Sequence, residues 1–441
     1  MNGAANSAGA GIRRPLINPV AGLVSALGRG ETLLLILTAL LVMGLSGGML
    51  WTVGLNYDGL SGSAPQKVHP STYLACLCFG WAMLRHGNPV GYLVQASRNR
   101  PASCFIAACG VGFLLFIGLR GGTGLAGALD TFTLPGLVVI LMAGRDRRTM
   151  TWLERVVHGV MIVNALMGLL EFVSGQRFFP FRLDGQIFET DTRSAALQGH
   201  PLNNATLTAC YVLALISGGG EFPRLARAAL IGLQLAALVT FGGRSASVMT
   251  VALGGAYGLV ALHRVLRHGR VPLLGVAAAI FLLTLVPIAL GGLVLGGFFD
   301  TLLGRFASDG GSAHARVGML ELIGRFPLRD MLIGPDAALV DSWRRIEGLE
   351  WGIENPVVKT LLYHGALMTA LLTLAVTLFL FEVARLCRPG IAMPMLAFVI
   401  LVNTFEGLGG KTTLLAKFAL LLIVMYRPPL SGAASAGRGR G

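Results

Sequence analysis

From Leu33 to Val53 the chain runs almost unbroken through apolar residues, and runs of similar length recur along nearly all of it. A stretch of about 20 such residues matches the hydrocarbon thickness of a bilayer. In that solvent every backbone N–H and C=O must find its partner inside the protein, which leaves the helix as the form for each run. Apolar windows place helices near residues 32–54, 71–84, 102–119, 124–143, 156–174, 201–218, 226–241, 245–262, 272–297, 356–384, 391–405 and 412–426. The fold class is therefore an all-α polytopic membrane protein with about twelve transmembrane helices. Composition agrees: 54% of residues are hydrophobic and only 13% charged, far from the mix of soluble domains.

The first run follows Arg13, Arg14 and Arg29. It is longer than the 7–15-residue core of a signal peptide, so it reads as an uncleaved first span. Arginine placement sets the orientation. Alternate loops carry Arg85, Arg98 and Arg100, then Arg145, Arg147, Arg148 and Arg155, then Arg224 and Arg227, then Arg264, Arg267 and Arg270, then Arg385 and Arg388. The opposite short loops hold little beyond Lys67, Arg120, Arg244 and Lys411. Under the positive-inside rule both termini are cytoplasmic. The net charge of +14 is thereby explained by topology, and no nucleic-acid partner is called for. The expected organisation is a cytoplasmic segment at 1–31, spans one to nine over 32–297, a large outer loop between spans nine and ten at 298–355, spans ten to twelve over 356–426, and a disordered cytoplasmic tail at 427–441. The six cysteines show no metal-ligand spacing, and no Asp-x-Asp or His/Cys cluster asks for a metal or other cofactor.

Chemistry gathers on the outer side. The segment "RFFPFRLDGQIFETDTRSAALQGHPLNNA" brings Arg177, Arg182, Arg193 and His200 to the entry of the sixth span, where Pro201 starts a helix. Arg244, in "FGGRSASVMT", stands in a connection so tight that its guanidinium lies at the membrane boundary. The long loop adds Arg305, His314, Arg316, Arg325, Arg329, Arg344 and Arg345. Within it "SAHARVGMLELIGRF" reads as an amphipathic helix, with Ser312 as N-cap and Val317, Leu320, Ile323 and Phe326 on its apolar side. Arginines gathered this way suit a forked anion, a carboxylate or a phosphate; they also suit the acids of the same loops. Asp130, Glu171, Glu406 and Lys411 fall near the outer ends of spans, which points to a polar chamber open on that side.

The stretch "WGIENPVVKTLLYHG" opens the tenth span. Asn355 is placed as its N-cap and Pro356 as its first helical residue, so Glu354 projects from the lip into the outer space. Two roles for Glu354 follow: an acceptor for a hydroxyl proton, or an ion-pair partner for Arg316 or Arg244.

These residues give the chain a resemblance. In topology, over essentially its whole length, it resembles the bacterial superfamily of O-antigen ligases and Wzy-type polysaccharide polymerases. "RSAALQGHPLNNA" is similar to that family's Arg-Gly-His-Pro-Asn segment before a span, "GGRSASVMTVAL" to its Ser-Arg-Ser-Ala entry, and "HARVGMLELIGRFPLRDMLIGPD" to its arginine helix. "ENPVVKTLLYHG" is similar to the ligase signature of His-Asn, nine residues, then Gly, with Asn355 and Gly365 at that spacing. Glu354 stands where the ligases carry the histidine implicated in transfer, and that departure favours a polymerase. The resemblance implies a metal-independent glycosyltransferase of the inner membrane, active at the periplasmic face. It would move glycan from an undecaprenyl-pyrophosphate donor to an acceptor sugar hydroxyl, in making an exopolysaccharide or O-antigen. Partners would be donor, acceptor, membrane lipids and other polysaccharide export or chain-length proteins. Arg193, Arg244 and Arg316 would stabilise the leaving pyrophosphate and Glu354 would handle the acceptor proton, with His200, Asn355, Arg182, Arg305 and His314 binding substrate. Two alternatives remain: a ligase delivering glycan to lipid A-core or another acceptor, and a twelve-span secondary transporter. Transporters of two six-span halves often carry a long cytoplasmic loop between spans six and seven, whereas here that connection is about eight residues.

Overall fold

The structure, a computed structural model, describes residues 29–59, 61–122, 124–183, 185–188, 193–267, 284–285, 288, 291–307, 312–349 and 352–428. It is a bundle of helices, as the apolar runs require. In chain order these are α1 (Arg29–Gly44), α2 (Gly47–Thr52), α3 (Pro70–Arg85), α4 (Pro89–Asn99), α5 (Pro101–Leu119), α6 (Leu125–Ala128), α7 (Leu134–Met142), α8 (Arg147–Ser174), α9 (Pro201–Ile216), α10 (Arg224–Thr240) and α11 (Arg244–Arg267). There follow α12 (Asp300–Ala307), α13 (Ser312–Gly324), α14 (Leu328–Ile333), α15 (Ala337–Ile346), α16 (Pro356–Leu386), α17 (Ala392–Val402) and α18 (Leu414–Met425). A helix lies at each expected span except 272–297, most of which is outside the described residues. Among the described helices five are long and apolar enough to cross a membrane: Pro101–Leu119, Leu125–Met142, Arg147–Ser174, Arg244–Arg267 and Pro356–Leu386. The chain is thus an all-α multi-pass membrane protein.

The layering follows from which helices are apolar all round. Every residue of α18 is buried, as is every residue of α7, and α9 is buried from Asn204 to Leu215. These form the centre, and Phe398 of α17 stacks on Phe418 of α18 with ring centroids 3.8 Å apart. Outer helices keep an apolar exposed face, seen at Leu367, Leu374 and Phe381 of α16 and at Val251 and Leu259 of α11. Bare leucine on a helix exterior is the arrangement that lipid, not water, stabilises.

Helix starts are written in the sequence as cap-proline pairs. His69–Pro70, Asn88–Pro89, His200–Pro201 and Asn355–Pro356 open α3, α4, α9 and α16, and in each the residue before proline accepts hydrogen bonds from the first turn. Between α6 and α7 the residues Leu129–Thr133 form a π-helical turn, a widening that turns Asp130 inward.

Two features differ from the sequence reading. Helix α16 starts at Pro356 as expected but breaks at Gly365, whose φ is +82°. There α14 and the turn after it press against the backbone, so that a Cβ on Gly365 would strike Gly334 N and the Ile333 carbonyl carbon. Arg120 holds the break: its guanidinium donates to the carbonyls of Ile333 (2.9 Å), Tyr363 (3.2 Å), Gly334 (2.9 Å) and Pro335 (2.9 Å). The second is the apolar face of α13. Of the expected apolar side, Phe326 is buried and Ile323 packs against the same cluster, but Val317 and Leu320 are exposed, and Met319 and Leu322 are buried in their stead with Met331, Val340, Leu349, Ile353 and Leu362. The long loop therefore folds onto the head of α16 around a small core of its own, and that core selects the buried face.

Candidate functional site

At one end of the bundle three connections, whose described residues are 53–59 and 61–69, 175–183, 185–188 and 193–200, and 403–413, lie over the ends of α1, α9 and α18. Two buried carboxylates hold them. Asp130 accepts from Tyr57 Oη (2.9 Å), Thr72 Oγ1 (2.6 Å) and the His69 amide (3.1 Å). Glu171 accepts from the amides of Phe178 (2.9 Å) and Ala196 (3.1 Å) and from the Ser194 hydroxyl. A buried carboxylate is tolerable when surrounded by donors in this way. Thr131 Oγ1 stitches the third connection by donating to Gly410 O (2.9 Å). Lys67 gathers the first, donating to Asn56 O (2.7 Å) and Ser61 O (2.5 Å).

Between these connections lies a polar cavity of about 280 Å³. Arg182, Lys411 and Lys417 bring positive charge to its wall, Asp58 and Glu406 negative charge, and His69, Gln198, His200 and Asn203 uncharged polar groups. The acids are partly engaged: Glu406 pairs with Lys359. Burial raises the Asp58 carboxyl above its usual range, although Lys411, Lys67 and Arg182 pull it down. Burial likewise lowers the Lys411 ammonium, against the pull of Asp58 and Asp130. Arg182 lies over the Trp51 ring at 4.5 Å and donates to Gly185 O at 3.0 Å.

Lys417 stands out. It sits in the fully buried α18, 5% exposed, and its Nζ donates to the Gln198 amide oxygen at 2.5 Å. No carboxylate pairs with it among the described residues. A buried ammonium without a counter-charge is costly, and an anion entering the cavity relieves that cost.

The two histidines share one chemistry. His200 Nδ1 accepts from the amides of Leu202 (3.1 Å) and Asn203 (3.4 Å), and His69 Nδ1 accepts from Ser71 N (3.2 Å). With Nδ1 used as an acceptor, the neutral ring carries its proton on Nε2. His69 Nε2 faces Leu45 O at 3.3 Å, and burial followed by the Lys417 charge lowers that ring to about 3, so it stays neutral. His200 is thus the cap of α9, with Nδ1 engaged by two backbone amides.

Of the residues nominated from sequence, Arg182 and His200 line this cavity. Asn355 caps α16 and donates to Asn403 O at 3.2 Å, tying that helix to the connection that forms the cavity wall. Glu354 is half-buried beside it, outside the lining, with no hydrogen bond or ion pair among the described residues. Arg193 and Arg244 come into one neighbourhood, because Ser194 N donates to Thr240 O at 3.2 Å just ahead of α11; both arginines are engaged by their surroundings and neither lines the cavity. The side chains of Arg305, His314 and Arg316 lie outside the described residues. Sequence reasoning passed over Asp58, Tyr57, His69, Gln198 and Lys417. The second His-Pro pair at a span entry and a lysine inside "LLAKFALLL" were the legible signals; nothing local marks Asp58.

On the other side of the 403–413 connection an apolar groove of about 470 Å³ runs along α16 from Pro356 to Ala384 and along α17 from Met395 to Asn403. Among the described residues no group of three or more His, Cys, Asp or Glu side chains could hold a metal ion. No family model, no curated protein and no solved structure matches this chain.

Proposed function

We propose that the chain is a membrane glycosyltransferase of the polysaccharide polymerase type, which takes glycan from an undecaprenyl-pyrophosphate donor and joins it to an acceptor sugar hydroxyl at the outer face of the cytoplasmic membrane. The observation that carries this reading is the pairing of two spaces across one connection: a cavity with an uncompensated buried lysine, and an apolar groove along two helices. A substrate with an anionic head and a long isoprenoid tail needs both. In the reaction the bond from sugar C1 to the pyrophosphate oxygen breaks and a bond from C1 to the acceptor oxygen forms. The charge left on pyrophosphate is met by Lys417, Lys411 and Arg182, to which Arg193, Arg244 and Arg316 are added by the resemblance. The acceptor proton passes to a carboxylate. Glu354, at the lip of α16 and without an ion pair among the described residues, and Asp58, whose proton affinity burial raises, are the two candidates.

The test is the lipid-linked glycan profile of cells lacking the protein, complemented with wild type, Lys417→Met, Glu354→Gln or Asp58→Asn. Single repeat units should accumulate without complementation and persist with Lys417→Met. Full-length chains left on the carrier would identify a ligase instead. A glycan profile unaffected by loss of the protein would overturn glycosyl transfer and favour the transporter.

A further inference from the structure

At the opposite end of the bundle, where the arginine-rich turns lie, the structure holds a larger cavity of about 690 Å³. Its wall carries five arginines from four segments: Arg100 between α4 and α5, Arg145 between α7 and α8 with Arg147 at the start of α8, Arg388 between α16 and α17, and Arg427 after α18. Glu154 and Glu221 are the carboxylates of the lining. Both are taken: Glu154 pairs with Arg427, and Glu221 lies 3.7 Å from Arg427 and 3.7 Å from Arg147.

The other three have no carboxylate partner among the described residues. Arg100 Nη1 donates to Asn99 O (3.1 Å), Arg145 Nε to Leu141 O (2.5 Å) and Arg388 Nη2 to Gly218 O (2.7 Å). A guanidinium has five N–H donors, so each keeps several unused. Arg100 Nε is buried with no hydrogen-bond partner among the described residues. Three acids act on them without pairing directly: Glu382 is occupied capping α5, through Ala102 N (2.8 Å) and Ser103 N (3.3 Å), Glu31 is occupied with Arg85 (2.6 Å), and Asp146 accepts from the Thr149 amide (3.4 Å) and hydroxyl. The topology rule explains arginines in these turns, but as separate solvated charges. It gives no reason for half-buried guanidiniums from three turns to line one half-open cavity, where they repel each other until an anion enters.

We propose that this cavity is a binding site for a phosphate-bearing anion, held by Arg100, Arg145 and Arg388 and separate from the cavity at the other end. Phosphate suits the site because its oxygens accept several forked N–H pairs at once. Two sources share that chemistry: the headgroup of an anionic lipid, and a free phosphate group.

The experiment is calorimetric titration of the full chain, purified in dodecyl maltoside, with inorganic phosphate and separately with dihexanoyl phosphatidylglycerol. Saturable binding of phosphate supports the site with a soluble ligand, and binding of the lipid alone supports it with a headgroup ligand. In either case Arg388→Gln or Arg100→Gln should weaken binding about tenfold, the loss expected for one charge-assisted pair. Glu221→Gln, which removes a competing carboxylate and leaves the fold's interior untouched, should tighten it. Arg98→Gln, an exposed arginine outside the lining, should change nothing. Binding of neither probe would overturn the proposal. So would equal loss with Arg98→Gln and Arg388→Gln, or a Glu221→Gln affinity no tighter than wild type.

Discussion

The two ends of the bundle hold charge in opposite ways. At the loop end the deepest acids, Asp130 and Glu171, are saturated by hydroxyl and backbone donors, so they fasten the connections and leave Lys411, Lys417 and Arg182 to face the cavity. At the arginine end the lining acids pair directly with arginine, and the guanidiniums left over rest on backbone carbonyls. The deepest acids of the loop end serve as fasteners and the lining acids of the arginine end as counter-ions, with Glu406, paired with Lys359, and Glu382, capping α5, as the exceptions at each end. Both ends arrive at surplus positive charge around a half-open cavity.

The sharpest way to break this contrast is Asp130→Ala. It strips the acceptor from Tyr57, Thr72 and the His69 amide at once, at a cost of about 3 kcal/mol or more from unsatisfied buried donors. Thermal unfolding should show the loss, and phosphate binding at the arginine end should survive wherever the protein stays folded. Next is Lys417→Met, which should move two readouts in opposite directions. Transfer should fall by about 100-fold, as when a transition-state donor is removed. Stability should rise by about 1 kcal/mol or more, because an apolar side chain replaces an unpaired buried ammonium. Gly365→Ala comes third. The left-handed φ and the close approach of Gly334 should cost about 2 kcal/mol and loosen the head of α16, so a protease should cut the 325–350 region faster.

The smallest effect is a difference of sign with pH. The Asp58 carboxyl is raised in the fold, so its contribution to stability is full below the unfolded value of about 4 and is lost as pH rises through the folded value. Asp146, at the arginine end, is lowered by its hydrogen bond from the Thr149 hydroxyl, so its contribution is present above about 4 and is lost as pH falls through the folded value. Unfolding curves of Asp58→Asn and Asp146→Asn against pH should therefore depart from wild type in opposite senses.

How much of this was legible depends on whether the cause was local. Helix positions and starts were, because apolar run length and a cap before proline act within one segment; Asn355 was placed that way, whereas Arg182 and His200 were named as charged and polar residues gathered ahead of the sixth span. The break at Gly365 was not, because it is made by Arg120 and the 332–335 turn, far away in sequence. The faces of α13 misled for the same reason: Val317 and Leu320 have helical spacing, but the partners of Met319 and Leu322 come from four other segments. The arginines drew attention to the 298–355 loop, whereas the described cavity is built from three shorter connections. Its least visible members, Asp58 and Gln198, are ordinary polar residues until Lys411 and Lys417 are brought against them.

The central helix α18 has a consequence of its own. Its 12 residues span only about 18 Å, against a hydrocarbon layer of about 30 Å. A helix of that length cannot cross the layer by itself, and the cavity lined by Thr413 and Lys417 sits at its N-terminal end, in the depth a full-length span would have filled with apolar side chains. A charge moved through the hydrocarbon layer experiences about 2.3 kcal/mol for each 100 mV fully traversed. A short central helix capped by a polar cavity therefore shortens the path over which a charged group reaching Lys417 is separated from the far side by apolar packing.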